Sequence, residues 1–161
     1  MSRSDVREPV FGTVAVACDH GGLSLKETVL GELSELGIDA RDMGTHSQES
    51  VDYPEYAAAA ALEVARGSAD AAILICGTGL GMAISANKID GVRAVTCGDE
   101  YSARMSRAHN DANVLTMGAR VLGGGLAGEL VRVFCTTSFD GGRHARRVEA
   151  MSALERDGES T

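Results

Sequence analysis

Ala71-Ala72-Ile73-Leu74-Ile75-Cys76-Gly77-Thr78-Gly79-Leu80-Gly81 is the stretch that decides the fold class. Its apolar run, bounded by Asp70 and by glycines, reads as a strand buried on both faces, the kind that parallel sheets contain. The glycines at 77, 79 and 81 let the backbone come close to a ligand and aim successive N–H groups at it. A helical pattern from Met82 to Ile89 then brings its positive end to the same place. The junction is an anion site with a thiol, Cys76, beside it, and such surroundings favour the thiolate.

Working outward, Thr13 to Ala17 predicts a first strand and Leu23 to about Leu36 a helix that Gly37 closes. Ile38 to Asp42 reads as a weaker strand, and Met43 to Asp52 as a polar loop. The alanine-rich segment from Tyr56 to Ala65 predicts a helix that Pro54 can start. After the central strand and its helix come a strand at Val92 to Thr96, a helix from Glu100 to Ala108 and a strand at Val114 to Met117. Two helices finish the chain, Leu126 to Phe134 and Arg143 to Glu155. This alternation with short connections predicts an α/β fold: a doubly wound, Rossmann-like, five-stranded parallel sheet with helices on both faces. Ligands in that architecture bind beyond the carboxyl ends of the strands. We read residues 1–161 as a single domain, with 1–11 and 157–161 flexible.

The composition fits this reading. A chain of 161 residues, 44% apolar and 4% aromatic, is long enough for a core without disulfides and suits an Ala/Val/Gly-rich α/β protein. Its formal net charge of −8 argues against nucleic acid or an anionic membrane as partner, so an anionic ligand needs a local positive pocket. Met1 to Val10 has no apolar core for a signal peptide, and no stretch is long enough to span a bilayer, so a cytoplasmic location is expected. Cys18, Cys76, Cys97 and Cys135 form no Cys-x-x-Cys pair, which signals neither a zinc site nor a redox dithiol. Cys97 and Cys135 read as small buried hydrophobes.

Asp19-His20 and Cys76-Gly77-Thr78 each follow a strand directly, so neighbouring strands would make them neighbours in space. Asp19 reads equally as an N-cap for the next helix, and His20 as a surface loop residue. Arg143, Arg146 and Arg147 crowd the first turn of the last helix, where the macrodipole disfavours cations. Asp140 and Glu149 could neutralise them. Alternatively Arg143 and Arg147, four apart on one helix face, could grip a phosphate. His109-Asn110-Asp111 reads as a connection at the sheet edge opposite Cys76. His109 is then either a solvated loop residue or a group that a partner chain supplies to the site.

Several ordered motifs resemble one family. They are Asp19-His20-Gly21-Gly22, Asp42-Met43-Gly44-Thr45, Asp52-Tyr53-Pro54, Cys76 to Gly81, Ala86-Asn87-Lys88, Ser106 to Asn113 and Gly141-Gly142-Arg143-His144. Together, from about Val14 to Glu155, they resemble the type B ribose-5-phosphate isomerases and their galactose-6-phosphate isomerase-like relatives. The resemblance implies a homodimer, with dimers able to pair further, that has active sites at the subunit interface and needs no metal or organic cofactor. The implied reaction is aldose–ketose isomerisation of a sugar phosphate through a cis-enediol(ate), with ribose 5-phosphate as the default substrate. By the same resemblance Cys76 is the proton-transfer base, Thr78 orients it, and the amides of Gly77, Thr78, Gly79, Leu80 and Gly81 hold the enediolate oxygens. His109 opens the sugar ring, Asp19 assists at the sugar hydroxyls, Asn110 holds substrate nearby, and Arg143, Arg147, Arg120 and His20 take the phosphate. Two departures stand out: Met82-Ala83-Ile84 follows the glycine loop where the family often has Ser or another polar residue, and Gly22 replaces a more usual alanine. Some members lack the cysteine and use a glutamate at the position of Met82, which puts this chain in the cysteine branch.

Two other readings compete. Asp99 follows the next strand about 20 residues after the loop, as a dinucleotide fingerprint expects. Gly77-Thr78-Gly79-Leu80-Gly81 is one residue short of that fingerprint, however, and lies on the third strand. The other is a catalytically silent sugar-phosphate-binding relative, against which the joint presence of Asp19, Cys76, Thr78 and His109 speaks.

Overall fold

A computed structural model describes residues 7–158. Its elements are β1 (Thr13–Cys18), α1 (Leu23–Glu35), β2 (Asp39–Asp42), α2 (Tyr53–Ala65), β3 (Ala71–Cys76) and α3 (Leu80–Ala86). They continue with β4 (Ala94–Thr96), α4 (Glu100–Asn110), β5 (Val114–Gly118), α5 (Gly124–Thr136) and α6 (Arg143–Gly158). The five strands form one parallel sheet in the order β2-β1-β3-β5-β4. The doubly wound α/β expectation therefore holds.

The sheet separates two apolar layers, and alternate residues of each strand serve each layer. Val14, Val16, Cys18, Ile73 and Ile75 pack with α1, α4 and α5 residues such as Val29, Ala103 and Phe134. Ala15, Ala17, Leu74 and Cys76 pack on the other face with Ala57 and Ala61 of α2 and Met82 of α3. Every residue of β3 is buried, as its apolar run requires.

Of the element ends that differ from expectation, three bear on the site. α3 begins at Leu80 because Gly79 takes a left-handed conformation (φ 84°) as its N-cap. α2 begins at Tyr53, with Pro54 in its first turn. α4 runs to Asn110, so His109 stands on the last turn of a helix and not in a loop. Residues 1–6 and 159–161, part of the segments expected to be flexible, lie outside the described residues. Within 7–11, the Val10 amide donates to the Cys135 carbonyl at 2.8 Å, and the rings of Phe11 and Phe134 lie 5.8 Å apart.

Order in the sheet fixes where a ligand can sit. The chain leaves β1 for β2 on one side and returns to β3 on the other, so the switch point lies between β1 and β3. α1 starts in close contact with β3 there: a methyl group on Gly22 would stand 2.2 Å from the Ile75 carbonyl oxygen. Gly22→Ala, the residue more usual in the resembled family, is therefore expected to cost about 1–3 kcal/mol here. Thermal unfolding would show it as a Tm lower by roughly 2–12 °C, and an unchanged Tm would contradict the close packing.

Candidate active site

At the carboxyl end of β1, Asp19 is buried, its amide donates to the Ile75 carbonyl, and its Oδ1 accepts the Gly22 N–H at 3.0 Å. Asp19 is not the N-cap of α1, a place that Gly22 takes without a side-chain cap bond; its carboxylate instead accepts the amide of that N-cap residue, which fixes it beside the head of β3. His20 follows, half-buried, and its Nδ1 accepts the Val51 N–H at 3.2 Å. That bond leaves Nε2 as the nitrogen that carries the proton. A cavity of about 670 Å³ opens beside His20, lined also by Lys26, Asp42 and His46. Lys26 is buried in it, with its Nζ 3.1 Å from Asp42 Oδ2 and 2.7 Å from the Thr45 carbonyl.

Across the switch point, Cys76 is buried and its Sγ accepts the Gly79 N–H at 3.0 Å. A preorganised donor aimed at the sulfur is what a thiolate needs. Gly79 owes this direction to its left-handed backbone, and a side chain there would also meet the Met117 backbone at 2.9 Å. Its amide therefore serves the sulfur rather than a substrate oxygen. The Leu80 N–H turns toward Thr78 Oγ1 at 3.4 Å, leaving the Thr78 side chain exposed at the mouth of the loop. Arg120 lies over Gly77, and its amide donates to the Gly77 carbonyl at 3.0 Å. Tyr53 covers Gly81, where an added Cβ would come within 2.6 Å of its ring.

The other three cysteines contrast with Cys76. Burial pushes the Cys18 and Cys97 thiols up to about 11 and Cys135 up to about 12, so all three stay protonated at neutral pH. Met82 is fully buried against the same apolar layer as Cys76. A carboxylate base has no counterpart at this position.

A second constellation lies at the opposite edge of the sheet. The ring of His109 stacks on that of His144, with centroids 4.1 Å apart and planes at 7°. The Asp140 amide donates to the Ala108 carbonyl at 2.9 Å, which ties the start of α6 to the end of α4. Asp111 ends α4 with φ 46°, held by Arg107 at 2.9 Å and Arg93 at 3.3 Å. Asn110, beside it, lines a cavity of about 500 Å³ between α6 and β4 with Asn87, Arg93 and Met151. Arg143 and Arg147 are exposed on the first turns of α6. Among the described residues neither they nor Arg146 forms an ion pair, so Asp140 and Glu149 make no direct contact pair with them. Three guanidinium groups without a contact carboxylate at a helix start leave an anion-attracting face.

The two constellations are far apart in one chain. Cys76 pairs in register with Gly118, and Ala72 with Val114, a separation of four residues or about 13 Å along the strands. His109 precedes Val114 by a further five residues. Arg120 and His20 are thus at one edge, and Arg143, Arg147 and His109 at the other, so a single chain does not assemble the expected phosphate clamp.

The family profile described as Ribose/Galactose Isomerase matches residues 14–151. The chain belongs to the ribose/galactose isomerase family. It is 50% identical over 142 residues to ribose-5-phosphate isomerase B of Escherichia coli, spanning 88% of this chain and 95% of that one. The solved ribose-5-phosphate isomerase B of Clostridium thermocellum superposes with a TM-score of 0.88 at 46% identity, covering 90% of this chain and 98% of the other. A more distant relative, D-erythrulose-4-phosphate isomerase of Pectobacterium atrosepticum, is 37% identical over 144 residues, 89% of this chain and 95% of its own. The protein is a sugar-phosphate isomerase of this family. No helix among the described residues is long and apolar enough to cross a membrane.

Reading the sequence residue by residue missed the parts of His144, Tyr53 and Lys26. His144 is buried beneath His109, and its imidazole is held below the ordinary histidine value by burial first, then by His109, Arg143 and Arg147. His144 and Tyr53 stand in motifs that carried the family resemblance, whereas Lys26 stands in none. What singles them out is contact with residues distant in sequence.

Proposed function

We propose that this isomerase interconverts ribose 5-phosphate and ribulose 5-phosphate through a cis-enediol(ate), in sites built from two copies of the chain. One copy contributes the β1–β3 edge with Asp19, His20, Cys76, Thr78 and Arg120. The other contributes His109, Asn110, Arg143 and Arg147. The observation that carries this reading is the Cys76 sulfur, buried at the head of β3 with the Gly79 N–H aimed at it from 3.0 Å.

The steps follow from where protons must go. Ring opening needs a proton delivered to the ring oxygen as one leaves the C1 hydroxyl; the imidazolium of His109 delivers the first and the Asp19 carboxylate takes the second. The Cys76 thiolate then takes the proton from C2, leaving the enediolate, and returns it to C1, while the proton on O2 passes to O1. Negative charge grows on O1 and O2 in between, where the remaining loop amides of Gly77, Thr78, Leu80 and Gly81 lie, with the Thr78 hydroxyl and Asp19 at the sugar hydroxyls. Phosphate held by His20 Nε2–H, Arg120 and the partner's pair of arginines fixes the distal end, and its binding energy positions the sugar. Apolar residues exposed in one chain support the homodimer: Leu80 and Ile84 of α3 are 58% and 63% exposed, one helical turn apart beside the site.

Two outcomes test the proposal. The purified single chain, assayed on a panel of four- to six-carbon sugar phosphates, is expected to turn over ribose 5-phosphate with the highest kcat/KM. A tenfold preference for another sugar phosphate would move the assignment within the family, as the Pectobacterium relative's name illustrates. No turnover of any would favour the silent, binding-only reading. Arg143→Ala removes one charge-assisted bond to phosphate, a loss of about 1.5–3 kcal/mol or roughly 10- to 100-fold in KM. Unphosphorylated ribose should be far less affected. Equal effects on both sugars would refute the clamp.

A further inference from the structure

The stacked pair His109–His144 has a third neighbour that the isomerisation does not use. One ligand atom each of His109, His144 and Asp140 can be chosen so that all three lie within 4.8 Å of one another. Two imidazoles and a carboxylate are the donor set that borderline divalent ions such as zinc prefer, whereas magnesium and calcium prefer oxygen. His144 is buried, and among the described residues its Nε2 accepts only a long bond from Arg143 Nε at 3.5 Å, which marks that nitrogen as carrying a lone pair. The rings are stacked with planes 7° apart, so their in-plane lone pairs converge on one ion only when the stack opens, a rearrangement that the soft χ2 torsions of histidine permit.

We propose that His109, His144 and Asp140 form a site for a divalent transition-metal ion, and that filling it competes with sugar phosphate. Arg143 and Arg147 on the same helix oppose a dication and Asp140 offsets them, which makes the site one of modest affinity and its occupant an inhibitor, not a cofactor. The competition rests on the reading of His109 as the ring-opening acid: the nitrogen that meets the sugar's ring oxygen cannot hold a metal ion at the same time, so ion and sugar phosphate exclude one another.

Titration calorimetry of the full chain with zinc chloride in phosphate-free buffer tests the site itself. One zinc per chain is expected, with no comparable heat from magnesium. Asp140→Asn, at an exposed position, and His144→Gln should each weaken zinc at least tenfold, while Cys76→Ser should bind it as the parent does. Zinc binding unchanged in both Asp140→Asn and His144→Gln would overturn the site, and so would its loss in Cys76→Ser. Steady-state kinetics tests the consequence separately: zinc should raise the apparent KM for ribose 5-phosphate in the parent and much less in Asp140→Asn. Zinc bound at this site with turnover unaffected would leave the metal site standing and overturn the role given to His109.

Discussion

Cys76→Ser is expected to fold as the parent does and to lose about 10²- to 10⁴-fold in turnover of ribose 5-phosphate. Serine fills almost the same space, so the apolar layer of Ala17, Leu74 and Met82 around position 76 keeps its packing. The Gly79 N–H that now reaches sulfur at 3.0 Å can donate to a hydroxyl oxygen instead. What serine cannot supply is an anionic base at neutral pH, because a hydroxyl holds its proton far more tightly than a thiol does. The loss therefore falls on the proton transfer between C1 and C2 and not on substrate binding. The expected signature is a collapse of kcat, worth about 3–5 kcal/mol of barrier, with KM little changed. Activity within a few-fold of the parent would remove Cys76 as the base. Cys18, Cys97 and Cys135 offer no substitute, since burial keeps each protonated near neutral pH.

The head of β3 was legible because its signals are local. An apolar run ending in cysteine and alternating glycines states strand, turn and anion loop within eleven residues, and parallel pairing with β1 brings Asp19 beside it. The start of α3 was less legible, since Gly79 caps it through a left-handed backbone and no capping side chain announces it. The end of α4 was misjudged because its stop is tertiary: Arg93, distant in sequence, joins Arg107 in holding Asp111 in the left-handed region. Lys26 shows the same limit, since a lysine on an amphipathic helix reads as solvated until Asp42 and Thr45 arrive from another part of the chain. His144 sits among exposed arginines on α6, and the ring of His109 stacked on it comes from a distant part of the sequence.

The proposed phosphate site was half legible. Arg143 and Arg147 were singled out by their crowding at a helix start, and the absence of ion pairs to them among the described residues supports an external anion as their partner. Sequence order alone grouped them with Arg120 and His20. Topology separates the two groups, since α5 carries the chain from the Arg120 edge back across the sheet before α6 begins. A phosphate touched by both groups therefore needs two chains.

That requirement is the central claim, and mixing two inactive variants tests it most directly. Cys76→Ala and His109→Ala proteins are unfolded together, refolded as mixed dimers and assayed on ribose 5-phosphate. In a two-fold dimer with shared sites, each mixed dimer holds one site with both groups intact and one with neither. Random pairing makes half the dimers mixed, so recovery to about a quarter of parental activity is predicted. If His109 served the Cys76 of its own chain, every site in every dimer would lack one group. Mixed dimers that are demonstrably formed and remain as inactive as the separate variants would contradict the shared site.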